Sequence, residues 1–218
     1  DEYSTGYLVF CDSFDPVRMR IIRSCQERID VAFEKFIQNI RLKYLNKRVI
    51  ELSHVDPLTH VKNRIAYEGK AEDVIDRIKN DPSYRFAVAM FDVNNLKVIN
   101  DDLGHEAGDE YLYNSSRVIC NIFKHSPVYR IGGDEFVAIL EDVDFNNREE
   151  LMREFASELE HIRVTEQSPM RRVSIAGGMA VFDPVKHTDY DDVCREADAD
   201  MYENKKRIKA KYNLGKIR

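Results

Sequence analysis

Two short apolar segments, separated by two glycines and two acids, constrain this chain more than any other feature of its sequence. Residues 128–131 and 136–140 are rich in strand-forming side chains, and residues 132–135 (Gly-Gly-Asp-Glu) join them. Glycine supplies positive φ in tight turns and leaves the backbone bare for a ligand to approach, so the pattern predicts a β-hairpin. The adjacent carboxylates of Asp134 and Glu135 repel each other unless water or a cation screens them. A solvated acidic hairpin and a metal site both remain open.

A third carboxylate, Asp92, follows another predicted strand, the apolar run at residues 86–91. A carboxylate at the end of a buried strand is held rigidly at the edge of a sheet, which suits a metal ligand, although a turn-forming aspartate is the ordinary explanation for Asp92 alone. Taken together, Asp92 and Asp134 predict a paired-carboxylate site on two strands. Hard oxygen ligands of this kind suit Mg²⁺ that bridges phosphates.

The order of the predicted elements favours an α/β fold of the α+β kind. Strands are predicted at 84–92, 127–131, 135–141 and 172–182, and helices at 63–79, 95–103, 105–124, 147–164 and 190–211. This order differs from strict strand–helix alternation, and two of the strands are joined by a hairpin. We therefore expect a mainly antiparallel central sheet, flanked by helices on one side.

The N-terminal quarter of the chain has a different pattern. Residues 7–11 resemble a short strand, and we interpret residues 1–16 as the remnant of an upstream sensor domain. Residues 17–55 contain no glycine or proline, and apolar residues recur there at steps of three and four, which predicts a long helical signalling linker. Such a helix packs either on its own domain or on a second copy. Asp56-Pro57 is expected to end it, and residues 56–218 form the next domain.

Composition excludes several classes of function. The 218 residues carry a net charge of −6, which argues against binding a nucleic acid polymer. The sequence has no 18-residue apolar run, so no membrane contact is expected in it. Its four cysteines are widely spaced, which is typical of reduced thiols in a cytoplasmic protein. Because it begins at Asp1 without methionine, we expect a fragment of a longer protein, whose membrane anchoring is left open.

From residue 56 onward the sequence resembles the GGDEF domain of diguanylate cyclases. Five blocks carry the resemblance in order: Asp56-Pro-Leu-Thr59 with Asn63-Arg64, residues 92–101, residues 105–109, Gly132 to Phe136, and residues 197–205. The resemblance implies a palm-like sheet similar to that of nucleotide polymerases and class III nucleotide cyclases. It also implies condensation of two GTP molecules into cyclic di-GMP and two pyrophosphates at a homodimer interface.

The resemblance also assigns roles to individual residues. Asp92, Asp134 and the backbone carbonyl of Val93 would coordinate Mg²⁺, for which Mn²⁺ is a possible substitute. Asp134 would accept the proton of the 3′-hydroxyl, and Glu135 would support the metal or the base. The remaining expected contacts are to the substrate: Asn100 and Asp109 to guanine, and Lys97, Asn95, Leu96, Gly132, Gly133, Lys205 and Lys209 to the phosphates or close to them.

Five positions depart from the family pattern. Asn94 stands where an aspartate is usual, Leu96 where phenylalanine is common, and Lys209 where arginine is common. Phe123 and Ser126 occupy the positions of the R-x-x-D pair at which many members bind their product, so we expect no product inhibition there. Two alternatives stay open: a catalytically silent module that binds GTP or a protein, and a nucleotidyl cyclase that acts within one monomer.

Overall fold

The computed structural model describes residues 16–52 and 54–212, in two units that divide after Leu52. The first unit contains helix α1, Pro16–Leu52, which begins at a proline whose missing N–H costs nothing in the first helical turn. The predicted helix over 17–55 is therefore confirmed but ends three residues earlier, because the backbone of Val55 pairs with Lys62 in a β-bridge. The strand predicted at 7–11 lies outside the described residues.

The second unit is built on a four-stranded sheet. Its strands are β1 (Ala87–Val93), β2 (Val128–Arg130), β3 (Glu135–Leu140) and β4 (Ile175–Val181). Their order is β2-β3-β1-β4, and every pair of neighbours is antiparallel, as predicted. Strand β1 begins later than predicted because Tyr84 is still in a turn, where its N–H donates to the carbonyl of Asp81.

Six helices accompany the sheet. They are α2 (Arg64–Asn80), α3 (Leu96–Leu103), α4 (His105–Ile122), α5 (Asp142–Asn146), α6 (Arg148–Thr165) and α7 (Tyr190–Tyr212). All but α5 were predicted, and α5 has five residues, too few to show a helical period. None of the helices in the described part of the chain is long and apolar enough to cross a membrane.

Helices cover both faces of the sheet, so the prediction of helices on one side was wrong. Ala89 and Phe91 point towards α4 and α6, whereas Val88 and Met90 point towards α2 and α7. A strand buried on both faces is apolar throughout instead of alternating, which is the pattern that residues 86–91 show. Alternation also fixes the direction of Asp92, which shares the α7 face with Met90.

Helix α7 lies very close to β4. A Cβ atom added at Gly178 would stand 2.0 Å from the backbone nitrogen of Met201, so only glycine allows this approach. The close packing brings the side chains of α7 over the end of β1, where Asp92 lies.

Candidate active site

The acids predicted from the sequence meet at one end of the sheet. Asp92 and Glu135 are register partners across β1 and β3, so their side chains share the face covered by α7. The N–H of Val93 donates to the carbonyl of Asp134 at 2.9 Å. The antiparallel pairing therefore places Asp92, Val93 and Asp134 side by side, although the first and last are 42 positions apart in the sequence.

Asp92 is buried and incompletely satisfied. Its exposed fraction is 8%, and Nζ of Lys205 lies 2.7 Å from its Oδ1 atom. The same oxygen has no well-directed hydrogen bond, so the contact with Lys205 is an ion pair only. A buried carboxylate oxygen with spare capacity that faces a cation fits the donor set of a divalent ion.

A metal at this position would have few protein ligands. The described residues contain no group of three or more His, Cys, Asp or Glu side chains arranged to hold a metal ion. Mg²⁺ usually takes one or two carboxylates and completes its shell with water and substrate phosphates. Asp92, Asp134 and the carbonyl of Val93 fit that pattern.

The Gly-Gly turn differs from its predicted geometry. Neither Gly132 nor Gly133 has a positive φ, so the expectation that glycine supplies that conformation here was wrong. A Cβ atom at Gly132 would lie 2.5 Å from Oε2 of Glu135, which is the end of an exposed side chain that can move aside. Gly133 is exposed and has nothing within 4 Å of its Cβ direction, which leaves room for a ligand.

Arg130 ties this turn to the segment that follows α1. Its Nη2 atom donates to the carbonyl of Gly133 at 2.7 Å, and its Nη1 atom lies 3.1 Å from Oδ1 of Asp56. Burial raises the pKa of Asp56, but hydrogen bonds from Thr59 and the charge of Arg130 outweigh it, so the pKa lies below its ordinary value. The sequence analysis missed Arg130, whose long-range partner no local pattern indicates.

The turn between β1 and α3 is held from inside the domain. Asn95 adopts a left-handed conformation with φ 63° and begins α3, so the first N–H groups of that helix are open to an anion. The hydroxyl of Tyr111 donates to the carbonyl of Asn94 at 3.1 Å and accepts from the N–H of Ser174 at 2.9 Å. The sequence analysis also missed Tyr111, because a tyrosine on the apolar side of a helix is normally a core residue without a functional role.

The residues predicted to contact guanine lie on neighbouring helices. Asn100 of α3 rests against Gly108 of α4, where a Cβ atom would stand 1.9 Å from Oδ1 of Asn100. Asp109 is the next residue and is exposed. The two side chains therefore belong to one α3–α4 surface, at the end of the sheet where the acids lie.

The predicted phosphate ligands divide between two helices. Lys97 is exposed in the first turn of α3, whereas Lys205 and Lys209 lie one turn apart on α7. Of these three, Lys205 alone forms an ion pair, with Asp92, in the described part of the chain.

The family profile described as "Diguanylate cyclase, GGDEF domain" matches residues 53–211. The chain belongs to the GGDEF family.

Two individual relatives of this GGDEF chain share about 30% of its residues or fewer over the aligned region. The signaling protein YkoW of Bacillus subtilis is 31% identical over 170 residues, which are 76% of this chain and 21% of YkoW. The probable diguanylate cyclase DgcE of Escherichia coli is 27% identical over 164 residues, which are 75% of this chain and 15% of DgcE. The chain therefore spans about a fifth or less of the length of these two relatives.

The fold is shared with solved GGDEF structures. The coiled coil and GGDEF domain of DgcB from Caulobacter crescentus, in complex with c-di-GMP, aligns with a TM-score of 0.61 and 21% identity. That alignment covers 84% of this chain and 95% of DgcB's. It confirms the palm-like fold that was predicted.

Two cavities of the GGDEF domain lie away from Asp92 and Asp134. One, of about 820 Å³, has neither Asp92 nor Asp134 in its wall. A smaller one, of about 250 Å³, adjoins Glu135 on the α7 side.

The positions of the missing R-x-x-D pair are buried. Phe123 is 1% exposed and packs in the core, and Ser126 is 7% exposed. Neither side chain carries a charge that could pair with a phosphate or a guanine base. The absence of product inhibition at this place stays a prediction.

Proposed function

We propose that this GGDEF domain is a diguanylate cyclase that condenses two GTP molecules into cyclic di-GMP and two pyrophosphates. The observation that carries the proposal is the buried carboxylate of Asp92, which lies beside Asp134 and whose Oδ1 atom has an ion pair with Lys205 but no well-directed hydrogen bond. Groups that serve only stability are normally satisfied, so this pair is better explained by a ligand.

We propose that Mg²⁺ is the cofactor, with Mn²⁺ as a substitute. Asp92, Asp134 and the carbonyl of Val93 would hold it. When bound, it would neutralise the negative charge of the triphosphate and of the departing pyrophosphate. The N–H groups at the start of α3, together with Lys97, Lys205 and Lys209, would hold the phosphates.

The α3–α4 surface favours guanine as the base. The carboxylate of Asp109 can accept hydrogen bonds from both N1–H and the exocyclic amine of guanine, and adenine offers no such pair of donors. The amide of Asn100, which rests on Gly108, adds a second recognition group.

The reaction requires two copies of the domain. Each 3′-oxygen forms a bond to the α-phosphorus of the other GTP, the bond from that phosphorus to the bridging oxygen breaks, and pyrophosphate leaves. Asp134 would accept the hydroxyl proton, with Glu135 supporting the metal or the base. Helix α1 offers a surface for bringing copies together, since Ile29, Phe33, Phe36 and Ile40 are each at least 50% exposed.

Product analysis tests the proposal. The protein is incubated with GTP and Mg²⁺, and the product is identified by mass. Cyclic di-GMP is expected, and Asp134→Asn should abolish it while the variant still unfolds cooperatively. Cyclic GMP would instead indicate a cyclase that acts within one monomer, and no product at any protein concentration would indicate a silent module.

Removal of residues 1–50 tests the role of α1. We expect the shortened chain to bind GTP as before but to lose turnover at low protein concentration, because two copies then meet less often. Turnover that is unchanged across a dilution series would contradict this role for α1.

A further inference from the structure

The GGDEF domain has a second concave surface that the proposed reaction does not use. This cavity of about 820 Å³ lies between α3, α6, the start of β4 and the last turns of α7. Its volume is within the range of roughly 300–1,000 Å³ that is typical of small-molecule sites. Asp92, Asp134, Asn100 and Asp109 are absent from its walls.

The apolar side of α3 is only partly covered, since Leu96 and Ile99 pack against the core while Val98 and Leu103 stay exposed. None of the eight residues of α3 is buried, although the helix is amphipathic. Val98 is 37% exposed and Leu103 is 50% exposed, and both line the cavity. Leu159 of α6 and Ile208 of α7 form the facing apolar walls. An amphipathic helix normally buries its apolar side, so the cavity offers an apolar occupant favourable contacts.

The charges in the wall of the cavity are mainly positive. Four basic residues (Arg163, Arg172, Arg207 and Lys211) and two acidic residues (Asp102 and Glu160) line it, in a chain whose net charge is −6. Glu160 pairs with Arg163 and Lys211. Arg172 and Arg207 form no ion pair with any residue in 16–52 or 54–212, so their charges are available to a ligand.

We propose that this cavity binds a small amphipathic organic anion. The apolar body of the ligand lies along Val98, Leu159 and Ile208, and its anionic group lies at Arg172 and Arg207. An inorganic anion would leave the apolar walls uncovered, and a neutral apolar molecule would leave the two guanidinium groups without a counter-charge. Nε of Arg172 donates to the carbonyl of Glu166 at 2.9 Å, which fixes that guanidinium without neutralising it. The site does not depend on the proposed cyclase activity, because its walls and charges involve none of the nucleotide ligands except Asn95 at one edge.

Fluorescence titration with anilinonaphthalene sulfonate, an amphipathic anion, tests the proposal on the whole chain without nucleotide. We expect a saturable signal with one site per chain. The double substitution Arg172→Glu and Arg207→Glu should weaken binding at least tenfold by reversing the charge at the anionic group. Val98→Trp should weaken binding by occupying the part of the cavity along α3, and Val98 is an exposed helix position whose substitution should leave the fold intact.

A matched control is Arg195→Glu, which reverses an exposed arginine that lines the smaller cavity and pairs with Asp192. It should leave the affinity for the probe unchanged. Cooperative thermal unfolding of each variant excludes probe binding to a loosened core. Non-saturable binding, or equal affinity in all variants, would mean an adventitious additive only and would overturn the proposal.

Competition separates the two parts of the ligand. Octanoate should displace the probe, and octanol at the same concentration should displace it at least tenfold less well, because octanol lacks the charge that Arg172 and Arg207 bind. Equal displacement by the two compounds would contradict the anionic half of the proposal.

Discussion

The two ends of the β1–β3 pair carry buried or half-buried carboxylates in opposite situations. At one end, the carboxylate of Glu141 contacts Nζ of Lys70 at 2.7 Å, the hydroxyl of Tyr84 at 2.8 Å, and the guanidinium of Arg77. At the other end, Asp92 has the single cation of Lys205 and an oxygen without a well-directed hydrogen bond.

The difference separates a structural carboxylate from a ligand-binding one. Burial raises the pKa of Glu141, but Lys70, Tyr84 and Arg77 outweigh it, so the pKa lies below its ordinary value and the charge is stabilised by the fold itself. Asp92 is the more buried of the two and has fewer partners. A cation that binds beside Asp92 would supply the stabilisation that its few partners leave out.

Asp92→Asn should have the largest effect. We expect turnover of GTP to fall by at least about 1,000-fold, corresponding to about 4 kcal/mol of transition-state stabilisation, while the melting temperature holds or rises. Steady-state assays and thermal unfolding measure the two quantities. Glu141→Gln is the matched control and should keep most of its turnover per folded molecule. Equal losses of turnover in the two variants would contradict the assignment of Asp92 as a ligand-binding carboxylate and Glu141 as a structural one.

Glu141→Gln should instead destabilise the domain. We expect the free energy of unfolding to fall by about 2 kcal/mol, because Lys70 and Arg77 lose their shared counter-charge. Chemical denaturation measures this free energy. Asp92→Asn is the control, because it should not destabilise the domain. An unchanged denaturation midpoint would show that the Glu141 network contributes only surface ion pairs.

Tyr111→Phe should raise the KM for GTP several-fold with a smaller change in kcat. The substitution removes the hydroxyl that joins Asn94 to Ser174 behind the phosphate-binding turn, and the loss is about 1 kcal/mol. Tyr84→Phe is the matched control, since it also removes a single tyrosine hydroxyl, one that donates to Glu141 at the far end of β1. Loss of GTP affinity in both variants to the same degree would point to general destabilisation.

The smallest expected effect is a change in how the free energy of unfolding depends on pH, and it is due to the Glu141 network. Its pKa is lower in the folded chain than the ordinary value of 4.5, so the unfolded chain binds more protons at acidic pH. The contribution is complete above about pH 5 and is lost as the pH falls through the folded pKa. Wild type should therefore lose stability more steeply than Glu141→Gln between about pH 5 and pH 3. Parallel curves from denaturation at each pH would contradict this.

Much of the fold could be predicted because its signals are local. The hairpin over 128–140 follows from two apolar segments around a glycine pair, and the long α1 helix follows from its three- and four-residue steps. The five-residue α5 and the helices on both faces of the sheet were not predicted. A short helix has too few residues to show a period, and an apolar strand does not tell which elements cover it.

The candidate site divides in the same way. Its acids and the GGDEF pattern are visible in the sequence, but the register that sets Glu135 opposite Asp92 is not, since that pairing exists only once β3 is formed. Arg130 and Tyr111 were missed because their partners, Asp56 and Ser174, are 74 and 63 positions away.

The sequence by itself determined the family of this protein, the identity of its acids and the antiparallel hairpin, because these depend on residue type and short spacing. Tertiary structure alone decided that Asp92 and Glu135 share one face, that Lys205 reaches Asp92, and that α3 leaves part of its apolar side over a cavity. Strand register and helix packing join residues far apart in the chain. Such contacts depend on the shape and close packing of the whole domain, which no local spacing encodes.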